Sequence, residues 1–209
     1  DPKSMTAVSD DEVFYKEKSD KLYYIKYFVK DSDEFVTIAT TRPETMLGDT
    51  AVAINPNDQR YKNLIGKSVI LPLANKEIPI VTDEYVDIEF GTGALKITPA
   101  HDINDFEVGK RHNLETINVI NKDSTLNEHG LEFANMDIFK ARKLIAEKLE
   151  SLGHIEKIED YIHNVAFSEK SKAQIEPLLS EQWFVSMKKL AEPAIKVVEE
   201  SKIKFHPEM

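Results

Sequence analysis

The chain has no cysteine among its 209 residues. Disulfides and thiol nucleophiles are therefore excluded, and the usual ligands of a structural zinc are missing. Glycine is sparse at 7 residues, and neither a glycine-rich phosphate loop nor a nucleophile elbow is present. The 6 histidines are scattered without ligand spacing, so no metal site and no resident cofactor are expected. No apolar run approaches the length of a membrane span, and the opening residues do not read as a signal peptide. Positive charge is short: 27 Lys and Arg stand against 37 Asp and Glu, a net charge of −10. Such a chain binds nucleic acid poorly by electrostatics alone, so any such partner must draw most of its affinity from elsewhere. A cytoplasmic origin fits the missing cysteine. The opening at Asp1 falls in mid-pattern and reads as a piece of a longer chain.

What is present is enough for one good core. Residues 21–29 are aromatic and β-branched and read as a strand, with 35–40 its hairpin partner across the turn 30–34. Short strands follow at 51–54, 68–73 and 78–81, with Pro72 and Pro79 pushing the last two toward sheet edges or bulges. Residues 86–90 and 94–98 read as a hairpin around Gly91-Thr92-Gly93. Close strands with turn residues between them suggest a small barrel or sandwich.

A helix is expected after His101. Asp102 fits its cap, and Asp105 falls where a reciprocal capping acid belongs. A second helix runs from Asp137 to Gly153, with an apolar stripe of Ile138, Ala141, Leu144, Ile145, Leu149 and Leu152. Lys140, Arg142, Lys143, Glu147 and Lys148 form its solvated face. Residues 1–13 read as short extended chain, 154–165 as strand or extended chain, and 186–201 as a helix bent near Pro193.

Two stretches carry chemistry. Residues 37–50 run as a strand into Thr-Thr-Arg-Pro-Glu-Thr-Met-Leu-Gly-Asp-Thr, placing hydroxyls, a guanidinium and a carboxylate at a strand end that Pro43 terminates. Residues 90–109 run from Phe-Gly-Thr-Gly through Lys-Ile-Thr-Pro-Ala to His-Asp-x-x-Asp. Thr, Arg, Lys and Asp in this mixture suit a small molecule bearing an amino group, an ester carbonyl and a hydroxyl. Asp102 and Asp105 equally suit a helix cap with its partner, and Phe90 equally suits the core.

Together the two stretches resemble the inserted editing domain of the class I aminoacyl-tRNA synthetases for valine, isoleucine and leucine, with 40–53 in the valine enzyme's wording. Residues 6–10, 182–185 and 203–208 extend the resemblance over nearly the whole chain. It implies a mixed α/β, β-rich fold: a small β-barrel core with two or three peripheral helices. Residues 1–13 would lead in from a catalytic domain, 14–175 form the editing domain, and 176–209 return. ATP and Mg would serve the catalytic domain, not this piece. The implied partners are that domain and a tRNA(Val) 3′ end carrying threonine, and no membrane.

The implied reaction is hydrolysis of mischarged threonyl-tRNA. A hydrophobic pocket shaped for valine rejects threonine poorly, and the valine enzyme is itself the standard example of this limit. A second site must read the hydroxyl. The resemblance makes Thr40, Thr41, Lys96 and Asp105 the catalytic set and Arg42, Glu44, Thr45, Phe90, Thr98 and Asp102 the substrate-binding set. Asp105 would hold the substrate ammonium, while Thr98 and Asp102 would read the hydroxyl. Lys96, sharing strand parity with Thr98, would face the oxyanion. The threonines would position water, Arg42 would meet the terminal adenosine or its phosphate, and Phe90 would wall the pocket or stack on adenine. Lys110 and Arg111 are further local cations for the 3′ end. The corresponding domain of the isoleucine or leucine enzyme, or a non-catalytic tRNA-positioning insert, are the alternatives.

Overall fold

The computed structural model describes residues 1–181, 183–203 and 205–206. Gln182, Lys204 and residues 207–209, which hold part of the tail's resemblance, lie outside the described residues.

Strand β1 (Val13–Val29) does two jobs along its length. Its second half alternates, burying Ile25, Tyr27 and Val29 on one face, the period-two pattern of a half-buried strand. That half pairs antiparallel with β2 (Phe35–Thr40), Tyr23 opposite Thr40 and Phe28 opposite Phe35. Residues 13–25, polar at Lys16, Glu17 and Lys18, pair antiparallel with β7 (Ile155–Ser168), from Val13 opposite Ser168 to Ile25 opposite Ile155.

The remaining strands are β3 (Ala51–Ile54), β4 (Ser68–Leu71), β5 (Lys76–Thr82) and β6 (Ala94–Ile97). The sheet runs β2-β1-β4-β5-β3-β6, with β7 on β1. β3 and β5 are parallel and the other pairs antiparallel. The end strands β2 and β6 approach each other, so the six-strand path is a nearly closed barrel. A mixed, β-rich fold with few helices is what the residues predict.

Pro79 is not at a sheet edge. It stands where β5 passes from β4 to β3: residues 76–79 pair with β4 and 80–82 with β3. At that changeover its missing N–H is tolerated.

The barrel core joins Ile25, Tyr27, Ile38, Leu71 and Ile78 to α2 (Ile138–Ser151), whose Ile138, Ala141, Ile145 and Leu149 are fully buried. Leu152, expected in that stripe, is exposed beyond the helix end. Arg142, expected on the solvated face, is buried against Glu44. α1 (Ile103–Arg111) packs beside β6, and Gly109 permits this: a Cβ there would meet Pro99 Cγ at 2.9 Å.

Two further stretches differ from expectation. Residues 86–90 form turns, because Asp83 and Asp87 each accept the backbone N–H two residues on, at 2.9 Å. Within residues 1–13, 2–5 are turn and Asp10–Glu12 a single 3-10 turn, where Glu12 accepts the Ser9 N–H at 3.3 Å, while Val13 already belongs to β1.

The chain divides into two compact units, Asp1–Leu179 and Ser180–Met209. The second holds α3 (Met187–Glu199), which runs through Pro193 and buries none of its described residues. Among the described residues no helix is long and apolar enough to cross a membrane.

Candidate functional site

β2 ends at Thr40, and the chain turns at once into a 3-10 segment, Pro43–Gly48, that is buried throughout. Pro43 opens it and Thr45 folds back, donating its hydroxyl to Arg42 O at 3.0 Å. Gly48 permits close packing, since a Cβ would lie 2.7 Å from Ile117 O. Asp49 follows, facing β6.

Lys96 and Thr98 do share a direction, as their parity requires. Lys96 Nζ lies 2.5 Å from Thr98 Oγ1, 3.2 Å from Thr45 Oγ1 and 3.4 Å from Asp49 Oδ1. Its three hydrogens therefore all have acceptors within the protein, the one to Asp49 being the weakest held. Thr98 Oγ1 in turn donates to Asp49 Oδ1 at 2.5 Å, and Tyr27 OH donates to Asp49 Oδ2 at 2.7 Å. Both Thr45 and Thr98 thus spend their one hydrogen on protein acceptors. Towards a ligand each offers lone pairs only.

Asp102 caps α1, its Oδ1 accepting the N–H groups of Asn104 at 2.8 Å and Asp105 at 3.1 Å. Asp105 is not its reciprocal partner. It turns inward, and its Oδ2 accepts the Thr98 N–H at 2.9 Å. Among the described residues no cationic side chain pairs with it. Burial raises Asp105 to about 6, against the pull of Lys96 and the Thr98 N–H. Burial likewise raises Asp49, with Lys96, Thr98 and Tyr27 opposing. His101 is pushed down to about 4 by burial and by the Arg42 charge, so it is neutral. Its Nε2 accepts the Val119 N–H at 3.0 Å, which puts the ring hydrogen on Nδ1, 3.4 Å from Pro177 O.

These groups surround a cavity of about 420 Å³. Thr40, Thr41, Arg42, Thr45, Phe90, Lys96, Thr98, Asp102 and Asp105 all line it, with His101, Leu22, Tyr24, Leu95 and Tyr161. Phe90 stands at the rim, 72% exposed. Glu44, predicted to bind substrate, is not brought there. It is fully buried, and Arg142 takes both its oxygens, Nη2 at 2.7 Å and Nε at 2.9 Å. Lys110 and Arg111 are also elsewhere, paired with Glu107 and Asp83. Arg42 reaches the wall with its guanidinium already bonded to Glu176 and, at 3.3 Å, to His101 O. Among the described residues no three His, Cys, Asp or Glu side chains gather as a metal ion would require.

The family model described as "Leucyl-tRNA synthetase, editing domain" matches residues 63–166. The valine-tRNA ligase of Clostridium tetani is 58% identical over 207 residues, 99% of this chain. Those of Geobacillus stearothermophilus and Bacillus subtilis are each 56% identical over its whole length. The chain belongs to the valine-tRNA ligase family, as its editing domain. It spans 24% of the length of each of these three relatives. A leucyl-tRNA synthetase from Agrobacterium radiobacter K84, solved as a ternary complex with tRNA and LeuAMS, shares the fold. It aligns over 78% of this chain and 22% of its own, at 19% identity and a TM-score of 0.52.

Three residues of this editing domain escape sequence reasoning. Asp49 lies inside the threonine-rich motif but carries no signal of its hidden contact with Thr98. Arg142 hides among lysines on a helix face. Glu176 lies far along the chain from Arg42, in a stretch without pattern.

Proposed function

We propose that the domain hydrolyses the ester of threonyl-tRNA(Val), clearing threonine that a valine-shaped activation site admits. The observation that carries this is the Thr98 hydroxyl. Its hydrogen is committed to Asp49, and the residue lines the cavity beside a carboxylate, Asp105, that has no cationic partner among the described residues. In this reading the lone pair that Thr98 keeps accepts the threonine side-chain hydroxyl and finds no partner on valine. Leaving such a buried acceptor unmatched costs about 1–3 kcal/mol.

In this reading the substrate ammonium pairs with Asp105. Water held near Thr40, Thr41 and the ribose hydroxyl attacks the ester carbonyl. The ester C–O bond breaks, releasing threonine and a free tRNA hydroxyl, and the water proton passes to the departing ribose oxygen. Lys96 meets the oxyanion with the hydrogen it holds weakest, that to Asp49. His101 is not the base, because its one ring lone pair, on Nε2, already accepts the Val119 N–H and burial holds its basicity down at about 4. Rate comes from positioning and charge stabilisation. The partners are the tRNA 3′ end and the catalytic part of the same polypeptide, in the cytoplasm, with ATP and Mg used by that part.

The test compares hydrolysis of threonyl- and valyl-tRNA(Val) by this chain. The threonyl ester should go at least about fivefold faster, as the unmatched acceptor requires. Equal rates, or no hydrolysis of either, overturn the reading.

A further inference from the structure

We propose that Glu176 is a positioning residue for this site, acting through Arg42. The proposal rests on the ester-hydrolase reading above.

Arg42 stands between two carboxylates. Glu44 Oε1 lies 3.6 Å from its Nε, but Arg142 already takes both Glu44 oxygens, and among the described residues the buried Arg42 Nε has no hydrogen-bond partner. Glu176 is the carboxylate that holds the guanidinium on the cavity wall, through Nη2. The backbone oxygen of His101 takes Nη1 at 3.3 Å. One hydrogen on each terminal nitrogen then remains for a ligand oxygen.

Glu176 is well placed to fix a direction. Its side chain is 3% exposed. The backbone around it is tied down on both sides: Ile175 N–H donates to Ala166 O at 2.9 Å, and Pro177 O meets His101 Nδ1. Among the described residues its Oε1 has no partner, so the pair is a single hydrogen bond rather than a fork. A fork would draw in both terminal nitrogens, or Nε with one of them. The single bond leaves one hydrogen on each terminal nitrogen uncommitted in a side chain that lines the cavity. Without Glu176, the nearest carboxylate is Glu44, and the guanidinium relaxes toward it and away from the ligand. The ligand class is an anionic or carbonyl oxygen of the aminoacylated terminal nucleotide.

Reach and charge are separable at this position. Glu176→Gln keeps an acceptor at the same distance without charge. Glu176→Asp keeps the charge but withdraws it by one methylene. The full chain and its Glu176→Gln, Glu176→Asp, Glu176→Ala, Arg42→Ala and Arg42→Ala/Glu176→Ala variants are titrated with the unreactive amide analogue of threonyl-adenosine 5′-phosphate. They are then assayed on threonyl-tRNA. Glu176→Asp and Glu176→Ala should weaken analogue binding and raise KM about tenfold, the worth of a hydrogen bond to a charged group, with kcat little changed. Glu176→Gln should bind close to wild type. The Glu176→Ala effect should vanish once Arg42 is gone. The reverse ranking of Asp and Gln, wild-type binding by Glu176→Asp, or additive losses would overturn the proposal. A wild-type chain that binds the analogue but leaves threonyl-tRNA intact overturns the proposed reaction, while the ranking still judges Glu176. One that binds no analogue overturns both.

Discussion

Thr98 Oγ1 lies 2.5 Å from Asp49 Oδ1 and 2.5 Å from Lys96 Nζ, so its hydrogen points at the carboxylate and one lone pair at the ammonium. Asp49 thereby decides which sense of hydrogen bond Thr98 offers to a ligand. Asn at this position can place an N–H where an acceptor stood, and the Thr98 hydrogen then turns to the cavity.

Asp49→Asn should therefore slow hydrolysis of threonyl-tRNA(Val) about tenfold or more, by loss of the matched acceptor. It should narrow the ratio to valyl-tRNA(Val) at the same time. Competition between the two esters measures this, and an unchanged ratio with intact folding would remove Asp49 from specificity.

The buried pair Arg142–Glu44 makes a stability prediction. Arg142→Ala takes both hydrogen bonds from the wholly buried Glu44 carboxylate and leaves it only the 3.6 Å contact to Arg42 Nε. Breaking such a pair costs about 3–5 kcal/mol. At about 2–4 °C per kcal/mol for a chain of this size, Tm should fall by roughly 10 °C. Arg142→Met with Glu44→Met should recover much of that loss, because no lone charge remains buried. A double variant melting below Arg142→Ala would contradict this account.

Sequence alone made the local devices legible. Asp102 reads as a cap because an Asp before a periodic run is one, and Lys96 and Thr98 share a face because strands alternate. What stayed hidden was tertiary. Arg142 differs from Lys140 and Lys143 only in meeting Glu44, 98 residues away. Asp105 sits at the spacing of a capping acid, yet the packing of α1 on β6 turns it to the Thr98 N–H. Residues 86–90 alternate like a strand, but Asp83 and Asp87 offer the backbone nearer acceptors.

Asp105 also predicts a pH dependence. Its folded value, about 6, lies above the ordinary 3.8. The folded state therefore binds this proton more tightly than the unfolded chain does. The stability this confers is whole below about 4 and is lost as pH rises to about 6, amounting to about 3 kcal/mol at 1.36 kcal/mol per unit. Catalysis runs the other way, since only the carboxylate holds an ammonium. The kcat/KM for threonyl-tRNA should rise with pH and bend at about 6. A profile without that bend, in a chain stably folded across the range, would take the titrating group out of the reaction.

Asp105→Asn separates the two effects. The amide oxygen still accepts the Thr98 N–H, and the desolvated charge is gone. Tm at neutral pH should therefore hold or rise, unlike the fall expected if Asp105 served the helix end. The substrate ammonium, however, loses its partner in a half-enclosed cavity where Asp105 itself is buried. Removing one member of a desolvated charge pair costs about 3–5 kcal/mol, or two to four decades in rate. Threonyl-tRNA hydrolysis should fall at least about a hundredfold, the lower end of that range. The bend near pH 6 should disappear with it. A folded Asp105→Asn that hydrolyses threonyl-tRNA at nearly the wild-type rate would show that the ammonium is held by another group. Asp102 is then the remaining acid on the cavity wall, with Oδ1 committed to the cap and only Oδ2 to offer.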